Sequence, residues 1–433
     1  MTDPAPHDQN EDRIVYGGPP NPNHSSLLRS FAAEHLTQRL EAVCRAYIVG
    51  DLAGDIGNDL IAQLIRLPFI LKRITSDERS KAVFLPTTQY WINGMLKCIT
   101  MKGSVWQRRF IASAPDIVWP LTLHDKRGST TWIVTTDSEG GLRVPRYGRH
   151  IEFGRAQAEK PALLIIVGDL VTVHFRECGL KVEIPVQDII GPVQQPEPTI
   201  EREGYEILMY DVLGDGRIQL QRRDPWLRVH WTGTNQRADG TDFFEPSTDQ
   251  YPEEYDRANY VEAFNSVAST CPSILYDIGT FTNVIVPRIT KNARIAFTVS
   301  SRPGAMYIDD SDADDLIDNL IHENAHIKLH CIQMQDTLLK DFENDNARYK
   351  VAWRPDPRPL GGIFEGIYVF ANVCEFRRKI NKKRDRDIAR KYFADLSSAW
   401  KIIEEHAEFT VAGESYRKDM RSWISDMRRD LEH

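Results

Sequence analysis

Cysteine is scarce and never paired in a C-x-x-C spacing: Cys44, Cys98, Cys178, Cys271, Cys331 and Cys374 lie singly along the chain. That argues against a disulfide framework and for free thiols in a reducing cytoplasm. Long apolar runs are missing too. The run Ala162 to Val167 is followed at once by Gly168-Asp169, so no segment reads as membrane-spanning. The N-terminal stretch is polar and acidic, without the apolar core of a signal peptide. Positive charge is not in excess: the net charge is -8 and the sequence pI about 5.9, which gives no basis for nucleic-acid binding. No fixed-period repeat, glycine-rich nucleotide loop or P-loop is present. With 433 residues the chain is long enough for two or more domains with buried cores.

What is present is His322-Glu323-Asn324-Ala325-His326, an HExxH motif in a stretch that reads as a helix. Histidines four apart lie about 40° apart around a helix, so both imidazoles can reach one metal ion, with Glu323 beside them to touch a metal-bound group. The upstream Ser311-Asp312-Ala313-Asp314 has the S-x-x-D form of a capping box and leads acidic residues into the first turn. Leu316, Ile317, Leu320, Ile321 and Ile327 supply apolar positions around much of the cylinder, predicting a buried helix. The bland alternative is a pair of satisfied core histidines.

A third ligand is needed. His330 lies eight residues past His322, about 12 Å along the axis, too far to converge with the motif histidines. The metzincin extension is absent. Downstream, Trp353 to Gly362 reads as a rigid proline-rich loop, and Ile363 to Val373 as a largely apolar helix with Glu365 as its one charge. A buried carboxylate without a partner is costly, and a metal would satisfy it; the alternative is a salt bridge to a neighbouring arginine.

The block Leu320-Ile321-His322-Glu323-x-x-His326-x-Lys328-Leu329, then Trp353-Arg354-x-Asp356-Pro357-Arg358-Pro359-Leu360-x-Gly362 and Tyr368-x-Phe370, resembles the HExxH-type peptide β-hydroxylases. These are Fe(II)- and 2-oxoglutarate-dependent tailoring enzymes of ribosomally made peptides, with a metallopeptidase-like (gluzincin) fold. Ser301 to Tyr307 resembles the strand and turn before that family's active-site helix, and the likeness covers residues 295 to 376. It departs at Glu365, where the family often carries histidine. The resemblance implies iron held by His322, His326 and Glu365, with 2-oxoglutarate as cosubstrate and a precursor peptide as substrate. Two histidines and a carboxylate suit non-haem iron, and the same three suit catalytic zinc. The far carboxylate of 2-oxoglutarate calls for a planar two-pronged donor, and Arg354 or Arg358 is the candidate; the alternative has one arginine on Asp356 and the other solvated. Lys328 lies away from the histidine face, where a structural ion pair is expected. A second reading is a zinc metallopeptidase of gluzincin type with Glu323 as general base. Against it, the position one turn after Glu365 is Val369, where such enzymes usually carry an aspartate. A third reading is an inactive peptide-binding scaffold.

The expected fold is α+β in four regions. Residues 1–24 are expected to be a disordered tail rich in Pro, Asp, Asn and His. Residues 25–104 are helical, with Leu27, Phe31, Leu36, Leu40, Val43 and Tyr47 along one stripe. Residues 105–250 are β-rich: Val171, Val173 and Phe175 alternate with Thr172, His174 and Arg176, Leu180, Val182 and Ile184 alternate with Lys181 and Glu183, and Asp215-Gly216 marks a hairpin. This region is either a peptide-binding sheet working by strand addition or a lid or scaffold. Pro192 to Pro198 interrupts it. Residues 251–433 are the mostly helical, gluzincin-like catalytic domain, with Ile295 to Ser300 as an edge strand for an extended peptide. The basic run Arg377 to Lys391 reads as a solvated helix face, or as a dock for an acidic leader peptide.

Overall fold

The first helix starts at Asn21, whose side-chain oxygen accepts the backbone N–H of Asn23 at 3.0 Å and of His24 at 3.5 Å. Helix α1 (Pro22–Val49) then opens on proline, whose missing N–H would have had no partner there anyway. A computed structural model of the protein describes residues 17–49, 58–99, 110–124, 129–191, 199–214, 217–221, 224, 226–229, 255–289, 296–309, 311–340, 342 and 347–432. Residues 22–24, expected in a disordered tail, are therefore helical, and residues 1–16 of that tail lie outside the described residues. The apolar stripe of α1 also shifts. Leu36, Leu40, Val43 and Tyr47 are buried as expected, but in the first turns Leu28 and Ala32 face the core while Phe31 is 44% exposed. Reading Leu27 and Phe31 into the stripe placed it one residue early.

The architecture is α+β. The chain divides into two compact units, one of residues 1–32, 262–281 and 317–433, the other of residues 33–261 and 282–316. The second holds helices α2 (Asn58–Arg73), α3 (Ser76–Val83) and α4 (Pro86–Cys98), followed by the strands. Strands β1 (Ser129–Thr135), β4 (Pro161–Val167), β5 (Leu170–Phe175) and β6 (Leu180–Pro185) form an antiparallel sheet in that order. The alternation read from the sequence holds: Val171, Val173 and Phe175 of β5 and Val182 and Ile184 of β6 are buried. A second antiparallel sheet has the order β2 (Gly141–Val144), β3 (Arg149–Glu152), β8 (Tyr205–Met209), β7 (Thr199–Arg202). Described strands begin only at Ser129; residues 110–124 ahead of them are largely helical, so the β-rich region starts later than expected. The Pro192 to Pro198 stretch lies outside the described residues.

The third sheet has the order β12 (Ala296–Thr298), β13 (Ala305–Asp309), β11 (Val284–Arg288), β10 (Ile218–Leu220), β9 (Asp211–Leu213). Its inner strands β10, β11 and β13 are parallel, and β9 and β12 run antiparallel at the two edges. Every residue of β11 and β13 is buried, as parallel strands covered on both faces are. The antiparallel pairing of β9 and β10 fits the expected hairpin, although Asp215 and Gly216 themselves lie outside the described residues. The strand expected at 295 to 300 is β12, and it is an edge strand.

The other unit holds the chemistry-bearing helices: most of α7 (Ala313–Gln335), with α8 (Leu360–Lys379), α9 (Lys383–His406) and α10 (Val411–Glu432). It also holds most of α5 (Arg257–Thr270), all of α6 (Pro272–Phe281), and a hairpin of β14 (Tyr349–Val351) with β15 (Arg354–Arg358). Of the proline-rich stretch expected as a loop, Arg354 to Arg358 is thus a largely exposed strand, and Leu360 to Gly362 opens α8. The expected solvated basic face is half consumed by structure. Arg377 is buried between Asp318 and Asp385, and Arg378 pairs with Glu375 and Asp430, while Lys382, Lys383 and Arg384 are exposed.

Helix α7 is capped one residue later than the S-x-x-D pattern suggests: the Asp312 carboxylate, not Ser311, accepts the N–H of Asp315 at 3.0 Å. Asp312→Ala should therefore cost about 1 kcal/mol of stability, and Ser311→Ala markedly less, by denaturant unfolding. Equal losses in the two variants would return the cap to Ser311.

Candidate metal centre

Burial of α7 follows from its apolar residues: Leu316, Ile317, Leu320, Ile321, Ala325, Ile327 and Leu329 are all at most 5% exposed. His322 and His326 share the face left over. Their ring centroids are 5.2 Å apart and tilted edge to face. Neither imidazole has a hydrogen-bond partner among the described residues. His322 is hemmed in by protein yet keeps 31% of its side-chain surface accessible. Burial holds both rings neutral, with His322 pushed down to about 3, helped by the neighbouring His326, and His326 pushed down to about 4. Neutral imidazoles with free lone pairs are what a metal requires of histidine. Glu323 is buried, its Oε1 4.0 Å from Nε2 of His322.

Helix α8 runs antiparallel to α7. Arg377 Nε donates to Asp318 at 2.8 Å, and the Phe370 ring lies 5.5 Å from that of His322, so later residues of one helix meet earlier residues of the other. Glu365 precedes Phe370 by about 7.5 Å of helix and His326 follows His322 by about 6 Å, which brings the two to one level. Glu365 makes no hydrogen bond or ion pair among the described residues. Desolvation raises its carboxyl above the usual range, and the Arg358 charge only partly opposes this. Even so, among the described residues no three His, Cys, Asp or Glu side chains stand close enough together to hold a metal ion. The histidine pair is assembled, and Glu365 stands outside it. In chemistry the three still fit a divalent ion, since an unpartnered, desolvated carboxylate is what a cation stabilises.

The hairpin supplies the rest. Residues two apart on a strand share a face, so Arg354, Asp356 and Arg358 line up. Asp356 takes both arginines, Arg354 Nε at 3.1 Å and Arg358 Nε at 3.2 Å, where only one such pair was anticipated. Arg358 is the one whose charge reaches Glu365. Trp353 closes against α8: its ring is 5.0 Å from Phe370, and a Cβ on Gly366 would come within 2.7 Å of the indole. Glycine beside Glu365 thus allows the tryptophan to approach.

On the far side of α7, Lys328 donates to Asp277 of α6 at 2.6 Å, and Ser25 donates to the other oxygen of the same carboxylate. This is the structural ion pair expected of Lys328. Asp277 and Ser25 were missed, although Asp277 is the one charge in the apolar Ile274 to Gly279, the same signal that exposed Glu365. The Asp318–Arg377–Asp385 bridge was also missed, because nothing local distinguishes Arg377 from its basic neighbours. In comparisons with known proteins, no family model and no curated protein matches this chain.

Lys328→Met leaves Asp277 buried with its charge unpaired and should cost about 3 to 5 kcal/mol, whereas Lys328→Arg should cost much less. Similar losses in both would mean that packing, not charge, is at stake. A pH dependence follows as well. Unfolding returns the imidazoles to about 6.5, so below that pH the unfolded chain binds protons that the folded chain refuses. The metal-free protein should lose stability as pH falls through this window towards the depressed values of about 4 and 3. In the double variant His322→Gln/His326→Gln this part of the slope should vanish. An unchanged slope in urea titrations across that window would refute it.

Proposed function

We propose that the protein is an Fe(II)- and 2-oxoglutarate-dependent oxygenase that hydroxylates the β-carbon of a residue in a ribosomally made precursor peptide. The observation that carries this reading is the neighbourhood of Glu365. An unpartnered carboxylate feels the charge of Arg358, on the helix packed against the neutral histidine pair. Iron would be held by His322, His326 and Glu365. When bound, it supplies redox chemistry in which dioxygen is reduced as 2-oxoglutarate is oxidised to succinate and carbon dioxide. The chain's own part is to hold and shield. The imidazoles stay unprotonated near neutral pH, and the Phe370 ring, backed by Trp353, packs beside His322. Arg358 is the better clamp for the far carboxylate of 2-oxoglutarate, exchanging its bond to Asp356 for a ligand carboxylate.

The zinc peptidase reading is favoured by one observation, the buried Glu323 carboxylate beside His322, where a general base would sit. Val369, one turn past Glu365, is buried and apolar, so the carboxylate that usually supports the third ligand of such peptidases is replaced.

His322→Ala or His326→Ala should abolish stoichiometric metal uptake, read by elemental analysis. Incubated under air with iron, 2-oxoglutarate and a candidate precursor peptide, the wild type should yield peptide heavier by one oxygen atom. Arg358→Met should raise the 2-oxoglutarate KM by about tenfold or more (about 1.4 kcal/mol), below the cost of a fully buried pair because Arg358 is 31% exposed. Arg354→Met should do less. Peptide fragments formed with zinc and without 2-oxoglutarate would replace this reading with the peptidase. An intact fold that takes up no metal would leave only a peptide-binding scaffold.

A further inference from the structure

We propose that Cys271 and Lys379 form a covalent modification site at which dioxygen joins thiol and amine through one bridging oxygen, Sγ–O–Nζ. Lys379 Nζ lies 3.5 Å from Cys271 Sγ, close enough for one oxygen atom to join them with little movement of either chain. Among the described residues, Cys271 Sγ lies within hydrogen-bond reach of an amine, with the Ser273 hydroxyl also at 3.5 Å, whereas Cys178 and Cys374 donate to carbonyl or amide oxygens.

Both backbones are held by regular structure. Cys271 joins α5 to α6, its N–H donating to Val267 O at 2.8 Å and its carbonyl accepting from Ile274 at 3.0 Å. Lys379 is the last residue of α8. Glu375, one turn back, places Oε1 2.9 Å from Lys379 Nζ and so fixes where the amine points. Cys271 is 1% exposed, so bulky thiols and disulfides are kept out, while the lysine side chain is 40% exposed. Dioxygen is small enough to reach such a buried thiol, whereas disulfide exchange needs access for a second thiolate.

The step balances with dioxygen as the oxidant. The S–H bond, two N–H bonds of the ammonium and the O–O bond break, and S–O and O–N bonds form. One oxygen stays in the bridge and the other leaves as water with two of the hydrogens. The remaining proton passes to Glu375, the carboxylate in contact. Sulfur and nitrogen each lose two electrons, and dioxygen takes all four. The bridge would tie the end of the helix that carries Glu365 to the α5–α6 junction. It would therefore restrain α6, whose Asp277 holds Lys328 of α7.

The test uses the full-length chain, equilibrated with air or kept anaerobic with a thiol reductant, then digested without reduction and weighed. The expected product is a cross-linked peptide pair containing Cys271 and Lys379, heavier than the sum of the two free peptides by one oxygen and lighter by two hydrogens. It should disappear on adding reductant, and be absent from Cys271→Ser and from Lys379→Arg, which keeps the charge beside Glu375. The Tm of the air-equilibrated wild type should exceed that of the reduced protein, and the difference should vanish in both variants. A wild type that stays uncross-linked under air, a cross-link lacking the oxygen, or a pair that survives in Lys379→Arg would each overturn the proposal. None of these results depends on bound metal or on hydroxylation of a peptide.

Discussion

Arg377 is the point on which the arrangement of the helices turns. Its guanidinium is buried, with Nε on Asp318 of α7 and Nη1 on Asp385 of α9, so one side chain at the end of α8 ties three helices together. A charge so placed is tolerated only because both carboxylates meet it with good geometry, and moving any of the three would leave a desolvated charge behind. The consequence is directional. With Asp318 tied near the end of α8, the antiparallel register brings Phe370 against His322 and Glu365 to the level of His326. Tyr392 adds a second hold on Asp318, its hydroxyl 3.3 Å from the other carboxylate oxygen.

Lys328 and Asp277 act on the opposite face of α7. Between them the two ion pairs fix the roll of the helix, and hence that the face shared by the histidines is turned toward Phe370 of α8. The same desolvation that makes these pairs demanding also tunes the site. It keeps two imidazoles unprotonated well below neutral pH and raises the Glu365 carboxyl, so the protonation of all three groups is set by burial rather than by hydrogen bonds. On the exposed hairpin, by contrast, Arg354 and Arg358 share a single aspartate in solvent, where ion pairs are weak and exchange readily.

Local patterns were legible wherever a single element decides the outcome. The alternation in β5 and β6 and the buried cylinder of α7 follow from side-chain period and burial. Errors arose at ends and at neighbours. The cap of α7 fell to Asp312 because two adjacent residues both have capping oxygens, and the stripe of α1 slipped by one because Leu27 and Leu28 are equally apolar. The proline-rich run became a strand because its partner, Tyr349 to Val351, offers an edge to pair with, a fact that lies outside the run itself.

From its sequence alone, the chain determines that two histidines one turn apart lie on one face of a buried helix and that a single carboxylate interrupts the later apolar stretch Ile363 to Val373. Periodicity and the cost of burying charge suffice for both. Only the tertiary structure decided that the two helices run antiparallel with Phe370 at His322, that Arg358 rather than Arg354 bears on Glu365, and that Asp277 answers Lys328. Each of these joins residues far apart in the chain, and long-range pairing of charges depends on packing that no local period encodes.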